Sequence, residues 1–217
     1  MALDARWTEL LKTTLDGAHA SRFAGATPAL VERARSTPLG RRMLALRLED
    51  EAPLLFGLSA ANDASWIEHH PVALFSGERL RGAAMDLGAL AFSPALRARV
   101  ERSEVLRLRE AIGAARLSFA LAADPWHGAA PDSVRHVAGA GLARVIDNAD
   151  AIAELLRQRG RVELYAHATS LHALLGERVR LAFPPPPSGE RRDAWLPAEA
   201  VARYLGAAGV SAAAGHR

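Results

Sequence analysis

Apolar residues recur along most of this chain at steps of three and four, the spacing that places them on one face of an α-helix. Leu3, Trp7, Leu10, Leu11 and Leu15 form the first stripe, and Gly17 follows as a stop. Thr27-Pro28 and Thr37-Pro38 each set a capping hydroxyl before a proline at the first helical position, so two more helices are predicted to begin there. The second of these carries Met43, Leu44, Leu46 and Leu48 toward Glu49-Asp50-Glu51 and closes at Pro53. Residues 53–70 read as a long connection or a short helix between two loops, with Gly57, Asn62-Asp63 and His69-His70 inside it. Helical spacing resumes from Pro71 to Ala91, where Gly77, Gly82 and Gly88 mark breaks or close helix contacts.

The clearest period runs from Ser103 to Ala122. Val105, Leu108, Ile112, Ala115 and Phe119 make one stripe, and Leu106, Gly113, Leu117 and Leu121 a second beside it, which predicts one central helix packed on more than one neighbour. Beyond Asp124-Pro125 a long stripe continues through Val134, Ala138, Leu142 and Val145 to Ile152, Leu155 and Leu156. The polar run Asp147-Asn148-Ala149-Asp150 interrupts it, so a kink or two successive helices are expected. Val162 to Leu175 favours a further helix ending near Gly176, whereas Arg178-Val179-Arg180-Leu181-Ala182-Phe183 alternates with period two and predicts a short extended piece. Pro184 to Pro187 stops regular structure, and Pro197 to Leu205 reads as a last short helix before a frayed tail.

The fold class expected from this pattern is all-α: a single globular multi-helix domain over residues 1–183, a Pro-rich linker over 184–196, and a short C-terminal helix and tail over 197–217. Composition agrees, because half the residues are hydrophobic yet only 6% are aromatic, leaving alanine and leucine to supply the helices. The absence of cysteine excludes a disulfide framework, a thiolate metal site and a cysteine nucleophile. The first residues, with an early acid at Asp4 and Lys12 reached before any long apolar run, do not read as a signal peptide, and no stretch approaches the ~20 apolar residues of a spanning helix. A soluble protein in a reducing compartment is the expectation.

A pI near 10.1 suggests nucleic acid, but acids nearly balance bases at a net charge of +3. Lys12 is the only lysine, so the pI is set by arginine. The densest basic stretch, Arg97, Arg99, Arg102, Arg107, Arg109 and Arg116, is the best candidate binding surface. Glu101, Glu104 and Glu110 are interleaved with it, which points to a self-neutralised face more than to a phosphate track. Trp66, Trp126 and Trp195 fall in or beside loops, where tryptophan pins a loop to its own core or docks on a partner. Trp195 follows the Pro-rich linker and is the one singled out for docking.

No catalytic, metal or cofactor site is indicated. His69-His70 are adjacent and His167 and His172 are five apart, neither being the spacing that brings two imidazoles to one helical face. Glu49-Asp50-Glu51 and Asp147 with Asp150 lie at helix boundaries, where acids cap and solvate helix ends. There is no Gly-x-Ser-x-Gly elbow and no phosphate-binding Gly-x-x-x-x-Gly-Lys loop.

Residues 70–126 carry a longer pattern: His70-Pro71-Val72-Ala73-Leu74, then Leu87-Gly88-Ala89-Leu90, Pro94-Ala95-Leu96-Arg97, Val105-Leu106-Arg107-Leu108-Arg109-Glu110-Ala111-Ile112-Gly113, Phe119-Ala120-Leu121 and Pro125-Trp126. This progression resembles the SctK/YscK family, accessory proteins of the sorting platform of bacterial type III secretion systems, although Ile112 stands where that family favours leucine. His19-Ala20-Ser21-Arg22 is a weaker counterpart of an N-terminal His-Pro-Ser segment, and Arg180-Leu181-Ala182-Phe183-Pro184 is similar to the family's basic, apolar, proline ending. The resemblance implies a non-enzymatic adaptor required for protein secretion. Its implied partners are an SctQ-type pod protein and an SctD-type inner-membrane ring protein, with no small-molecule substrate and no cofactor. It also implies a cytoplasmic location, at the cytoplasmic face of the inner membrane when assembled, with membrane contact only through partners. The candidate interface residues are Arg97, Arg99, Arg102, Arg107, Arg109 and Trp195. The alternative is a helical nucleic-acid-binding or regulatory protein that uses the arginine-rich surface.

Overall fold

The structure, a computed structural model, describes residues 5–57, 65–186 and 193–214. Among these residues the regular structure is entirely helical: twelve α-helices, three short 3-10 turns and no strand. The chain is all-α, as its periodicity requires. Two compact units make it up, the first comprising residues 1–81, 165–191 and 205–217 and the second residues 82–164 and 192–204.

In the first unit, α1 (Ala5–Gly17) buries Trp7, Leu10 and Leu15. Thr27 starts α2 (Pro28–Arg35) by accepting from the Leu30 amide at 3.3 Å, and Thr37 starts α3 (Pro38–Leu48) by accepting from Gly40 at 3.1 Å. Each cap satisfies an amide that has no partner inside its helix, which is why the Thr-Pro pairs locate both starts. A single turn, α4 (Pro53–Phe56), follows, and its Leu54 and Leu55 amides donate to the Glu177 carboxylate at 3.4 and 3.1 Å. Residues 58–64 of the expected long connection lie outside the described residues.

The segment Arg178–Phe183, expected to be extended, is instead helical: Arg178 to Leu181 are the end of α11 (Ala173–Leu181). Arg178 is 2% exposed, and Val179, Leu181, Ala182 and Phe183 are buried as well, so the segment lacks the alternation of inward and outward residues that a half-buried strand shows. The Arg178 guanidinium donates to the Phe75 carbonyl, to the Thr14 hydroxyl and, at 3.4 Å, to the Leu10 carbonyl. Burial lowers its pKa to about 10, which still leaves it charged at neutral pH.

The second unit contains α6 (Ser93–Arg97), α7 (Arg102–Ile112), α8 (Ala114–Ala122) and α9 (Asp132–Val145). The helix expected from Ser103 to Ala122 is two helices. Gly113 separates them at φ +81°, a backbone conformation that a side chain disfavours, and each of the two apolar stripes is divided between α7 and α8. Leu108 and Ile112 of α7 and Leu117 and Ala120 of α8 enter a core with Phe92, Leu96, Leu142 and Leu156. The polar run at 147–150 does divide two helices, α9 and α10 (Ala149–Leu171), with the Asn148 side chain accepting from the Ala151 amide at 3.0 Å.

Within this unit α5 (Gly77–Ala91) approaches α10 closely from Gly82 onward. A Cβ on Gly88 would strike the Leu156 carbonyl, and one on Gly160 would strike the Ala84 carbonyl, so two glycines allow the helix backbones to meet. That makes Gly88 a contact and not a break. The last helix, α12 (Ala198–Ala214), extends well past Leu205, where the sequence had suggested a frayed end. Of the expected linker, residues 187–192 lie outside the described set.

Candidate protein interface

The arginines singled out by their density separate into two groups. Arg97 donates to the Leu121 carbonyl at 3.1 Å and to the Ala123 carbonyl, closing the C-terminus of α8. Arg99 pairs with Glu104 at 3.3 Å and reaches the Gly139 carbonyl at 3.4 Å, and Arg107 pairs with Asp147 at 2.9 Å. Arg116 is held by Asp86 and by the Ile112 carbonyl at 3.2 Å. These four tie the second unit together, each meeting a carboxylate or the bare carbonyls of a helix end.

Arg102 and Arg109 differ. They are seven residues apart on α7, hence on one face, and both are exposed. Leu106 lies between them on that face and is 53% exposed. The opposite side of α7 carries Leu108 and Ile112 into the core, so the helix is fixed while this apolar and cationic strip remains open.

A groove of about 410 Å³ adjoins the C-terminal end of α7, lined by Asp86, Ile112, residues 113–116, Phe119 and Tyr204. Asp86 holds its floor by accepting from both Arg116 and the Tyr204 hydroxyl. Phe119 is 39% exposed and packs against the Tyr204 ring with centroids 5.7 Å apart. Shallow shape, apolar lining and one satisfied carboxylate suit contact with another protein better than chemistry on a small molecule.

Trp195 is bound into the second unit. Its ring tilts against Phe92 at 5.5 Å, and the Arg159 guanidinium lies over it at 4.2 Å from the centroid. Its amide donates to Glu163 at 2.8 Å, the Leu196 amide to the same carboxylate at 3.1 Å, and its carbonyl accepts from the Trp126 indole at 3.3 Å. Glu163 also pairs with Arg159 at 2.7 Å and has no exposed side-chain surface. Burial pushes the Glu163 carboxyl above its ordinary range, and the Arg159 charge and the two amides pull it back. Trp195 is therefore engaged by its own unit, which leaves little of it for a partner. The signal was present in Arg159 and Glu163, four apart on a helix, but nothing local says that their partner is a segment some thirty residues later.

In the first unit the structure gathers histidines that sequence spacing kept apart. The Trp66 ring stacks on His172 at 4.6 Å and tilts against His70 at 6.5 Å. His167 and His70 are both held below the ordinary histidine range, first by burial; the charge of His70 adds to the effect on His167, and those of His69 and His172 to that on His70. Among the described residues no group of three or more His, Cys, Asp or Glu is arranged to hold a metal ion. The acidic run at 49–51 resolves into an ion pair: Glu51 meets Arg22, whose guanidinium also donates to the Phe183 and Arg180 carbonyls at 2.8 Å each.

Among the described residues no helix is long and apolar enough to cross a membrane. No family model, no curated protein and no solved structure matches this chain.

Proposed function

We propose that this chain is a non-enzymatic adaptor of a bacterial type III secretion system, joining an SctQ-type pod protein of the sorting platform to an SctD-type inner-membrane ring protein. The observation that carries the reading is how the SctK/YscK-like pattern divides between core and surface. Leu87, Leu90, Leu96, Leu108 and Ile112 are buried, and Gly88 makes a close helix contact, so the resemblance lies in residues that determine packing. What the same pattern leaves outward on α7 is Leu106, Arg109 and Glu110, with Arg102 one turn earlier on the face of Leu106. An apolar residue between two guanidiniums, on a helix fixed from behind, has the make-up of a protein contact, where arginine and apolar anchors carry most of the binding energy.

The engagement of Arg97, Arg99, Arg107 and Arg116 by carboxylates and carbonyls supports a protein partner over nucleic acid, since these arginines are already spent on the fold. Location at the cytoplasmic face of the inner membrane, reached through partners, belongs to the same proposal. The test is co-purification with the SctQ-type and SctD-type proteins of the same cell, combined with secretion after deletion and complementation. Retention of both partners by the wild-type chain, and loss of secretion on deletion, is expected. Full secretion without the chain, or capture of neither partner, would refute the proposal.

A further inference from the structure

Helix α3 in the first unit is apolar on two sides. Gly40, Leu44 and Leu48 face inward and are buried. On the other side Leu39, Met43 and Leu46 are 70%, 56% and 62% exposed, although their spacing of four and three makes them one continuous stripe. A single exposed leucine needs no explanation, but three in register on one helix do. At 100° per residue, Arg42 and Arg47 lie about 70° to either side of the stripe's centre. Both are exposed, and α3 contains no acidic residue. Arg47 donates to the Ala24 carbonyl at 2.7 Å, a neutral acceptor, and exposed Asp50 lies beyond the helix's C-terminal end.

We infer that this face of α3 is a docking site for an acidic amphipathic helix of a partner protein, one with an apolar stripe edged on both sides by carboxylates. Charge decides between the occupants. A second copy docking α3 on α3 would set Arg42 and Arg47 against their own counterparts across an apolar seam, where like charges are costly. A lipid surface would call for a longer stripe with aromatic residues at its boundary, and this one has three aliphatic residues on an 11-residue helix. A helix with glutamates flanking leucines pairs each guanidinium with a carboxylate and covers Leu39, Met43 and Leu46 together. Met43, at the middle, gives the seam an adaptable side chain. The inference stands on α3 alone, which lies outside residues 70–126, so it does not depend on the secretion reading.

The test uses the full chain and three probes: a designed helical peptide with a leucine stripe edged by glutamates, the same stripe edged by lysines, and vesicles of mixed phosphatidylcholine and phosphatidylglycerol. Fluorescence anisotropy is expected to show saturable binding of the glutamate-edged peptide, at least tenfold weaker binding by Met43→Asp and by Arg42→Glu, and none of the lysine-edged peptide. Leu39→Gln, at the most exposed of the three positions, supplies the same readout if Met43→Asp fails to fold. Equal binding of both peptides, binding unchanged by these substitutions, vesicle binding without binding of the acidic peptide, or a concentration-dependent dimer abolished by Met43→Asp would each overturn the inference.

Discussion

Arg178 in the first unit and Arg159 in the second are both buried, and they solve the problem of a buried charge differently. Arg178 in the first unit has no carboxylate: its donors end on the Phe75 and Leu10 carbonyls and the Thr14 hydroxyl. Arg159 in the second is matched by Glu163, which also takes the two amides of Trp195 and Leu196. The first arrangement uses a charge to satisfy the Phe75 carbonyl and to hold the Thr14 hydroxyl, and so fastens α1 and the turn ending at Phe75 onto α11. The second uses a neutralised pair to fasten an extended segment to α10. One is a clamp on backbone acceptors, the other a clamp on backbone donors.

That contrast predicts an order of effects. Glu163→Leu is expected to cost the most, about 4 kcal/mol, because it removes the carboxylate paired with buried Arg159 and the acceptor of the Trp195 and Leu196 amides. Chemical denaturation would measure the loss, and a quenched or red-shifted Trp195 signal would show the segment released. Adding Arg159→Met to that variant should recover part of the loss by removing the buried charge, leaving the amides' share; no recovery would mean that the pair is not what organises this region. Arg178→Met comes next, at about 3 kcal/mol, since the Phe75 carbonyl and the Thr14 hydroxyl lose a charged donor but no charge is left behind. If it proves milder than Gly113→Ala, expected to cost about 1 kcal/mol by forcing a side chain into the left-handed region, the clamp is not central to the first unit.

The smallest effect is a dependence on pH that comes from two histidines of the first unit. His70 and His167 have lowered pKa values in the fold, so the unfolded chain binds their protons more readily. Stability is full above the ordinary histidine value of about 6.5 and falls as pH drops through it toward the lowered folded values. Thermal melts between pH 7.5 and 5.5 should decline, and His167→Gln should flatten the decline. A melting temperature that rises on acidification would contradict the assignment.

Local chemistry was legible in the sequence. Thr27 and Thr37 announce their helices because a cap acts within three residues, and the 147–150 break is visible because Asn148 caps the helix it begins. The missed features are those whose partners are distant in the chain. The segment 178–183 read as extended because the acceptors that bury Arg178, Thr14 and Phe75, are more than a hundred residues away. The Trp66, His70 and His172 stack was hidden for the same reason, and Trp195 seemed free because Glu163 gives no local sign of accepting its amide. Of the arginine surface, density identified the region but not the division between Arg97, Arg99 and Arg107, which serve the fold, and Arg102 and Arg109, which remain outward.

The central claim is that this chain acts by holding other proteins, with the outward face of α7 as a contact. Its most direct test is a calorimetric titration of the purified chain with the SctQ-type and the SctD-type protein, repeated with Leu106→Glu and with the double variant Arg102→Glu/Arg109→Glu. The account predicts that the wild-type chain binds at least one of them and that both variants weaken that binding by tenfold or more while their helical content is unchanged. Undiminished affinity in folded variants, or no heat of binding with either protein, would contradict it.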